Sequence, residues 1–413
     1  MIADPSLAPE GERKIAWAAA WMPVLNLVGD QLREDGVVRG RRIAVILPVE
    51  PKTAYLAATL AEAGAEVAVA FQGAMVHDDV AAGLAARGVE VFARHGSTPE
   101  EELGFFEQVL AHRPEVVIDD RADVIRLAHT THPEVLETLL GASEETTSGV
   151  LALRAMAADG TLKVPCIAAN DARCKYLFDN RYGSGQSTVA AVMDSTNLLI
   201  AGKRLAVVGY GWVGKGIARR ARGVGARVIV CEVDPFAALE AYHDGYEVLP
   251  VAEACAVADI VMTATGVRGS VPPEAIEHLK DGAILANTGG VDDEFDVPSL
   301  RERALESRVV REHVEEFRLD EQRSVFVIGG GVVVNLSAGE GHPVEIMDLT
   351  FAIQALAARY LLLHAHELDP GVHLLPTEID ESVARHKLEA LGLRIDRLTA
   401  AQQAFLATWE AFA

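Results

Sequence analysis

The sequence predicts an α/β protein of two doubly wound parallel-sheet domains, followed by a C-terminal helical extension. Three observations carry this. Short apolar runs alternate with segments of helical period from the N-terminal region as far as Gly341, which is the pattern of successive βαβ units. A strand, a glycine-rich turn and a helix follow one another around Val207-Val208-Gly209-Tyr210-Gly211-Trp212-Val213-Gly214. The chain has 413 residues, beyond the size at which one hydrophobic core usually stops growing, so two domains are expected.

In chain order, residues 11–34 read as one amphipathic helix, with Trp17, Trp21, Leu25 and Val28 recurring at helical spacing and both tryptophans assigned to core packing. Arg42 to Leu47 gives a strand, Lys52 to Ala63 a helix, and Glu66 to Ala70 a second strand. The alternation continues through Val89 to Phe92, a helix near 99–112, and a strand from Glu115 that ends on Asp119 and Asp120. Strands ending in acids matter because ligands of parallel sheets sit beyond the carboxyl ends of the strands. Later strands are expected at 205–208, 227–231, 259–263, 283–286 and 325–328. After Gly341-His342-Pro343 comes one long helix, about 344–366, then a short strand near Val372 to Leu375 and two short helices. The expected domains are 1–181 together with 344–390, 182–343, and a helical tail at 391–413.

The glycine turn has a specific chemistry. Gly209 permits the tight turn, Gly211 lets a pyrophosphate approach the backbone, and Gly214 lets helix and strand pack closely, with Trp212 and Val213 opening the helix. The next strand, Arg227 to Cys231, ends at Glu232, about 20 residues past the glycines, where an acid meets a ribose 2′-hydroxyl. A carboxylate there repels a 2′-phosphate. The second domain is therefore read as a Rossmann NAD domain.

Half of the residues are apolar, ample for burial, and 37 basic against 60 acidic residues give a net charge of −23. Such a balance argues against nucleic acid or an anionic membrane as partner. Cys166, Cys174, Cys231 and Cys255 show no CxxC spacing, so buried free thiols are expected rather than disulfides, zinc or any other metal site. No basic, then apolar, leader opens the chain, and no uninterrupted apolar run of spanning length occurs. A cytoplasmic location is the expectation.

At Asn170-Asp171-Ala172 and Lys175-Tyr176-Leu177-Phe178-Asp179-Asn180-Arg181-Tyr182-Gly183 the chain strongly resembles S-adenosylhomocysteine hydrolase. Further matches are Asp4-Pro5-Ser6-Leu7-Ala8-Pro9, Ser143-Glu144-Glu145-Thr146-Thr147, Ile200-Ala201-Gly202-Lys203, Glu232-Val233-Asp234-Pro235, Val334-Asn335-Leu336 and Gly341-His342-Pro343. Lys52 after Glu50, and a C-terminus at Thr408-Trp409-Glu410, resemble the shorter archaeal and Thermotoga-like branch. The resemblance implies NAD-dependent oxidation of the 3′-hydroxyl of a nucleoside thioether, C4′ deprotonation, 5′-elimination, water addition and re-reduction. It also implies a nucleoside substrate and a homo-oligomer, tetramer or dimer.

Carried over residue by residue, the resemblance gives Lys175 and Asp179 as the pair at the ribose hydroxyls, Asp120 as the C4′ base and Glu145 as the carboxylate on the sugar hydroxyls. Lysine and aspartate four apart share one face of a helix. Thr146, Thr147, Ser148, Asn180, Thr265, Asn287 and Asn335 match cofactor contacts, and Glu50, Lys52, Thr53, Asp123 and His342 match the substrate side. The departures cluster. The family's Leu-His reads Leu47-Pro48, its Asn-x-Gly-His reads Asn287-Thr288-Gly289-Gly290, its Ser-Thr-Gln-Asp reads Met75-Val76-His77-Asp78, and its Asp-Asp-Gly-Gly-Asp reads Asp119-Asp120-Arg121-Ala122-Asp123. Neither proline nor glycine transfers a proton. His77 is read as the candidate substitute acid/base, and Arg121 as either a partner for an anionic group or a solvated surface arginine. Two alternatives stay open: a paralogue making a 3′-keto nucleoside from a different 5′-substituted nucleoside, and a non-catalytic NAD-binding protein.

Overall fold

The computed structural model describes residues 2–409; Glu410 and the rest of the expected tail to 413 lie outside the described residues. Two sheets organise the chain. The first has seven strands, all parallel, in the order Gly371–His373, Pro165–Ile167, Gly141–Glu144, Val116–Asp119, Arg42–Val45, Glu66–Ala70, Glu90–Phe92. The late strand Gly371–His373 thus returns to the edge of the first sheet, beside Pro165–Ile167. The long helix Val344–His364 packs into the same core, with Phe351, Ala352, Ile353, Ala355 and Leu361 buried. By length and composition this helix could cross a membrane, but most of its apolar surface is covered by the protein itself.

The second sheet runs Glu306–Arg311, Val314–Arg318, Ser324–Ile328, Ala283–Asn287, Ile260–Thr263, Arg204–Val208, Arg227–Cys231, Glu247–Val248. The five expected strands and Glu247–Val248, which was not expected, form a parallel array of six, and an antiparallel hairpin over 306–318 extends one edge. That hairpin was not expected, because its residues alternate charged and apolar on an exposed edge and read as surface.

The expected single helix over 11–34 is two helices, Ala8–Ala20 and Pro23–Asp35. Pro23 lacks an N–H and its ring clashes with the preceding turn, so the first helix stops at Trp21. The break changes which face is inward. Ile15, Ala18, Met22, Leu25, Val28 and Leu32 are buried, whereas Trp17 and Trp21 are 66% and 45% exposed, correcting the core assignment of both tryptophans. The four cysteines are buried and unpaired, as expected.

Candidate active site

Two adjacent strands of the first sheet end on tandem acids in matched register, Asp119 beside Glu144. Successive side chains of a strand point to opposite faces, and the two members of each pair divide the work. Asp119 and Glu144 turn inward and hold backbone. Asp119 accepts from the N–H groups of Asp120 and Ile125 at 3.0 and 2.9 Å. Glu144 accepts from Arg121, Ala122 and Thr146 at 3.0, 2.9 and 2.9 Å. Asp120 and Glu145 are left to line a cavity of about 120 Å³ together with Glu50, Lys52, Thr53, Thr146, Lys175, Asp179 and His342. Leu47, Pro48, Leu336, Met347 and Phe351 complete its wall.

Lys175 and Asp179 sit at the start of a π-helical stretch, Tyr176–Gly183. Single turns of this wider winding are found mostly at functional sites. Here it lets Lys175 Nζ reach both Asp179, at 3.1 Å, and Asn180 Oδ1, at 2.7 Å. Glu145 stands 3.8 Å from the same ammonium. Asn180 in turn donates to Asn170 Oδ1 at 3.0 Å. Asp179 also hydrogen-bonds His342 Nδ1, whose Nε2 lies 3.2 Å from Ser184 Oγ.

Burial and charge set these groups apart. Burial works to raise the Asp179 carboxyl, but His342 and Lys175 outweigh it and hold the group well below the usual carboxylate range. Burial pushes Glu145 up to about 8, with Lys175 opposing and Asp179 reinforcing. Asp120 is raised by burial despite Arg121. Lys175 is raised although burial acts to lower it, because Asp179 and Glu145 surround it. At neutral pH Glu145 therefore keeps its proton beside the Lys175–Asp179 ammonium–carboxylate pair.

This has a measurable consequence for stability. Glu145 gives up its proton near its ordinary value of 4.5 when unfolded but only at about 8 when folded. Between those values the native state binds the extra proton, so stability falls as pH rises through the window, by at most ~1.4 kcal/mol per unit. Glu145→Gln keeps the neutral shape. The variant is expected to lose less melting temperature than the parent between pH 5 and pH 8, without NAD; equal losses would show that Glu145 does not titrate in this way.

At the other end of the cavity Glu50 caps the helix Pro51–Glu62. Its Oε1 accepts from Thr53 N and Oγ1, and its Oε2 from Lys52 N and Nζ. Lys52 Nζ also donates to the Glu340 carbonyl at 2.8 Å. Both Glu50 oxygens are thus occupied twice, while the ammonium, with three donors, keeps one N–H free.

Other expected residues stand further off. His77 lines a larger cleft of about 910 Å³, which shares Lys52, Leu336 and His342 with the inner cavity. Asp123 bonds Arg126 and Gln72. Thr146 caps the helix Thr147–Ala158, Thr147 bonds Asn170, and Ser148 bonds Thr146. A side chain at Gly290 would place its Cβ 2.7 Å from Ser148 Oγ, so that hydroxyl would have to turn aside to admit it.

The residues of the second domain fit a dinucleotide. Gly209 has φ +97, and a Cβ on Gly214 would lie 1.9 Å from the Gly209 carbonyl, the close approach expected of the third glycine. The helix Trp212–Gly223 begins without a side-chain cap, leaving its first N–H groups for phosphate. Glu232 is fixed at its strand end by the N–H groups of Tyr210, Val233 and Asp234. Asn335 donates to Ser187 Oγ while its buried Oδ1 has no partner among the described residues. Thr265 is held by Glu294. Asn287 spends its amide inside the protein, on Thr263, Gly289, Val291 and Gly331, so it shapes the loop beside the cofactor position.

Sequence reasoning missed Gln354, which donates from the long helix to Glu145 and accepts from Ser143, and it gave Asn170 no role. A polar residue in a buried apolar helix, which Gln354 shares with Asp348 and Thr350, was the available signal.

Comparison with known proteins agrees with this geometry. Residues 1–132 match the model of the family described as S-adenosyl-L-homocysteine hydrolase, and residues 180–341 match that of its NAD binding domain. An adenosylhomocysteinase of Pyrococcus abyssi is 48% identical over 410 residues, 99% of this chain and 97% of that protein. An S-inosyl-L-homocysteine hydrolase of Methanopyrus kandleri is 47% identical over 412 residues, again 99% and 97%. An adenosylhomocysteinase of Thermotoga maritima is 47% identical over 401 residues, 97% of this chain and 99% of that one.

Proposed function

The chain belongs to the S-adenosyl-L-homocysteine hydrolase family and is an NAD-dependent thioether hydrolase of that type, and we propose that its preferred substrate is the homocysteine thioether of a purine nucleoside with an oxo group at C6. The buried cluster of Lys175, Asp179, Glu145 and Asp120 in one cavity supports the reaction. A protein that only binds NAD has no use for such a cluster.

NAD, when bound, supplies the hydride acceptor for C3′. Lys175, an ammonium held by Asp179 and Asn180, donates to the 3′-oxygen and must first give up one of its own protons before it takes that of the 3′-hydroxyl, and Glu145 orients the sugar hydroxyls. Asp120, whose Oδ1 has no partner among the described residues, removes the C4′ hydrogen once C3′ is a ketone. The C5′–S bond then breaks and the thiol leaves; water adds at C5′, the proton returns to C4′ and the ketone is reduced. His77, in the outer cleft, has no part in these steps.

Overall identity does not separate the adenosine from the inosine enzymes, since both kinds of relative stand at 47–48%. Lys52 supports the choice. With Glu50 occupied, its remaining N–H is the hydrogen-bonding side-chain group left at the apolar end of the cavity, and a donor favours a 6-oxo over a 6-amino purine. Purified protein given S-inosyl-homocysteine or S-adenosyl-homocysteine, with thiol release followed, is expected to turn over both and the inosyl compound faster. Release from neither, with no 340 nm absorbance from bound cofactor, would defeat the reading.

We further propose a cytoplasmic homo-oligomer, dimer or tetramer. Buried free thiols support the first. The exposed Leu391, Leu393, Ile395, Phe405 and Leu406 of the C-terminal segment support the second, because apolar patches of this kind mark association surfaces.

A further inference from the structure

Arg121 is the most unusual side chain near the cavity. It occupies a left-handed backbone conformation at φ 60, followed by Ala122 at φ 56, a costly geometry for two successive residues with Cβ atoms. The N–H of Ala122 and that of Arg121 are pinned by Glu144, which holds the turn in place. Its side chain is 15% exposed. The guanidinium uses NH1 on Asp292, at 3.3 Å, and lies 3.6 Å from Asp123. Nε and NH2 are buried and have no hydrogen-bond partner among the described residues.

Those two nitrogens form the side-on edge of the guanidinium, the fork that receives both oxygens of a carboxylate. Two unmade hydrogen bonds from a buried cation are costly, so the edge implies a ligand. Its place identifies the class. Arg121 follows directly on Asp120, the group assigned to C4′, and C4′ is the carbon that carries the 5′ substituent. A cation there is flanked by acids, Asp123 and Asp292, and a carboxylate-bearing group that also carries an ammonium matches both signs.

We propose that Arg121 is a specificity residue that binds the carboxylate of the α-amino acid on the substrate's 5′ sulfur, with Asp123 beside it for the ammonium. The assignment rests on the nucleoside-thioether reading above. Two substrates and one variant test it. Arg121→Gly suits the φ of the position, so folding is preserved. With S-inosyl-homocysteine the variant is expected to lose 10- to 100-fold in kcat/KM, chiefly through KM. With 5′-methylthioinosine, which lacks the amino acid, it is expected to lose at least fivefold less, because the part of the loss that comes through Asp120, which Arg121 holds down, is common to both substrates. Arg121→Lys, which keeps the charge without the fork, should recover only part of the loss. Equal loss on both substrates, or no loss on either, overturns the proposal. A parent enzyme whose bound cofactor is reduced by no nucleoside overturns the functional reading instead, so the two failures are distinguishable.

Discussion

Lys175→Met is expected to slow nucleoside-driven reduction of the bound cofactor by 10²- to 10⁴-fold, the range that a positioned proton-transfer group contributes. Lys175 Nζ is the one group that touches Asp179, Asn170 and Asn180 with Glu145 beside it. Methionine keeps the volume and removes the proton. The same change leaves Asp179 buried with His342 as its remaining partner. Breaking a buried pair costs about 3–5 kcal/mol, and His342 places the loss at the low end. Stopped-flow absorbance at 340 nm gives the first quantity and denaturant unfolding the second. Reduction at an unchanged rate would remove Lys175 from the chemistry. A rate loss without a stability loss would instead show that the Lys175–Asp179 pair matters to the reaction and not to the fold.

The same residues show how far the sequence reaches. The strand, glycine turn and following acid at 205–232 were legible because Gly209 and Gly214 answer steric demands of the fold and Gly211 keeps the phosphate side of the turn open. Lys175 and Asp179 were legible as neighbours from their spacing, but the π-helical winding that brings Asn180 onto the same ammonium leaves no mark in periodicity. Strands ending in paired acids could be seen; which acid of each pair faces the cavity could not, since that depends on the register of neighbouring strands. Gln354 meets both Ser143 and Glu145 across more than two hundred residues. Such contacts follow from packing, not from local pattern. At the N-terminus Pro23 alone told against the single helix, and giving it less weight than the tryptophan spacing put Trp17 and Trp21 in the wrong environment.

Lys52→Gln is expected to erase or reverse the choice of base. On the proposed orientation the free ammonium N–H of the parent meets the C6 substituent, and a hydrogen bond involving a charged group is worth about 1.5–3 kcal/mol, or roughly 10- to 150-fold between a 6-oxo and a 6-amino purine. A glutamine amide presents an acceptor as well as a donor, so it serves an amino group as readily as a carbonyl. The fold should survive the change. Glu50 keeps its cap contacts with Lys52 N, Thr53 N and Thr53 Oγ1, none of which needs the ammonium. The measurement is the ratio of kcat/KM for S-inosyl-homocysteine to that for S-adenosyl-homocysteine in parent and variant. A ratio that starts high and falls to about one or below places Lys52 at the base. A ratio near one in both proteins would mean that the nucleoside lies the other way round in the cavity, with Lys52 facing the sugar. In that case the loss in Arg121→Gly would appear for both thioethers.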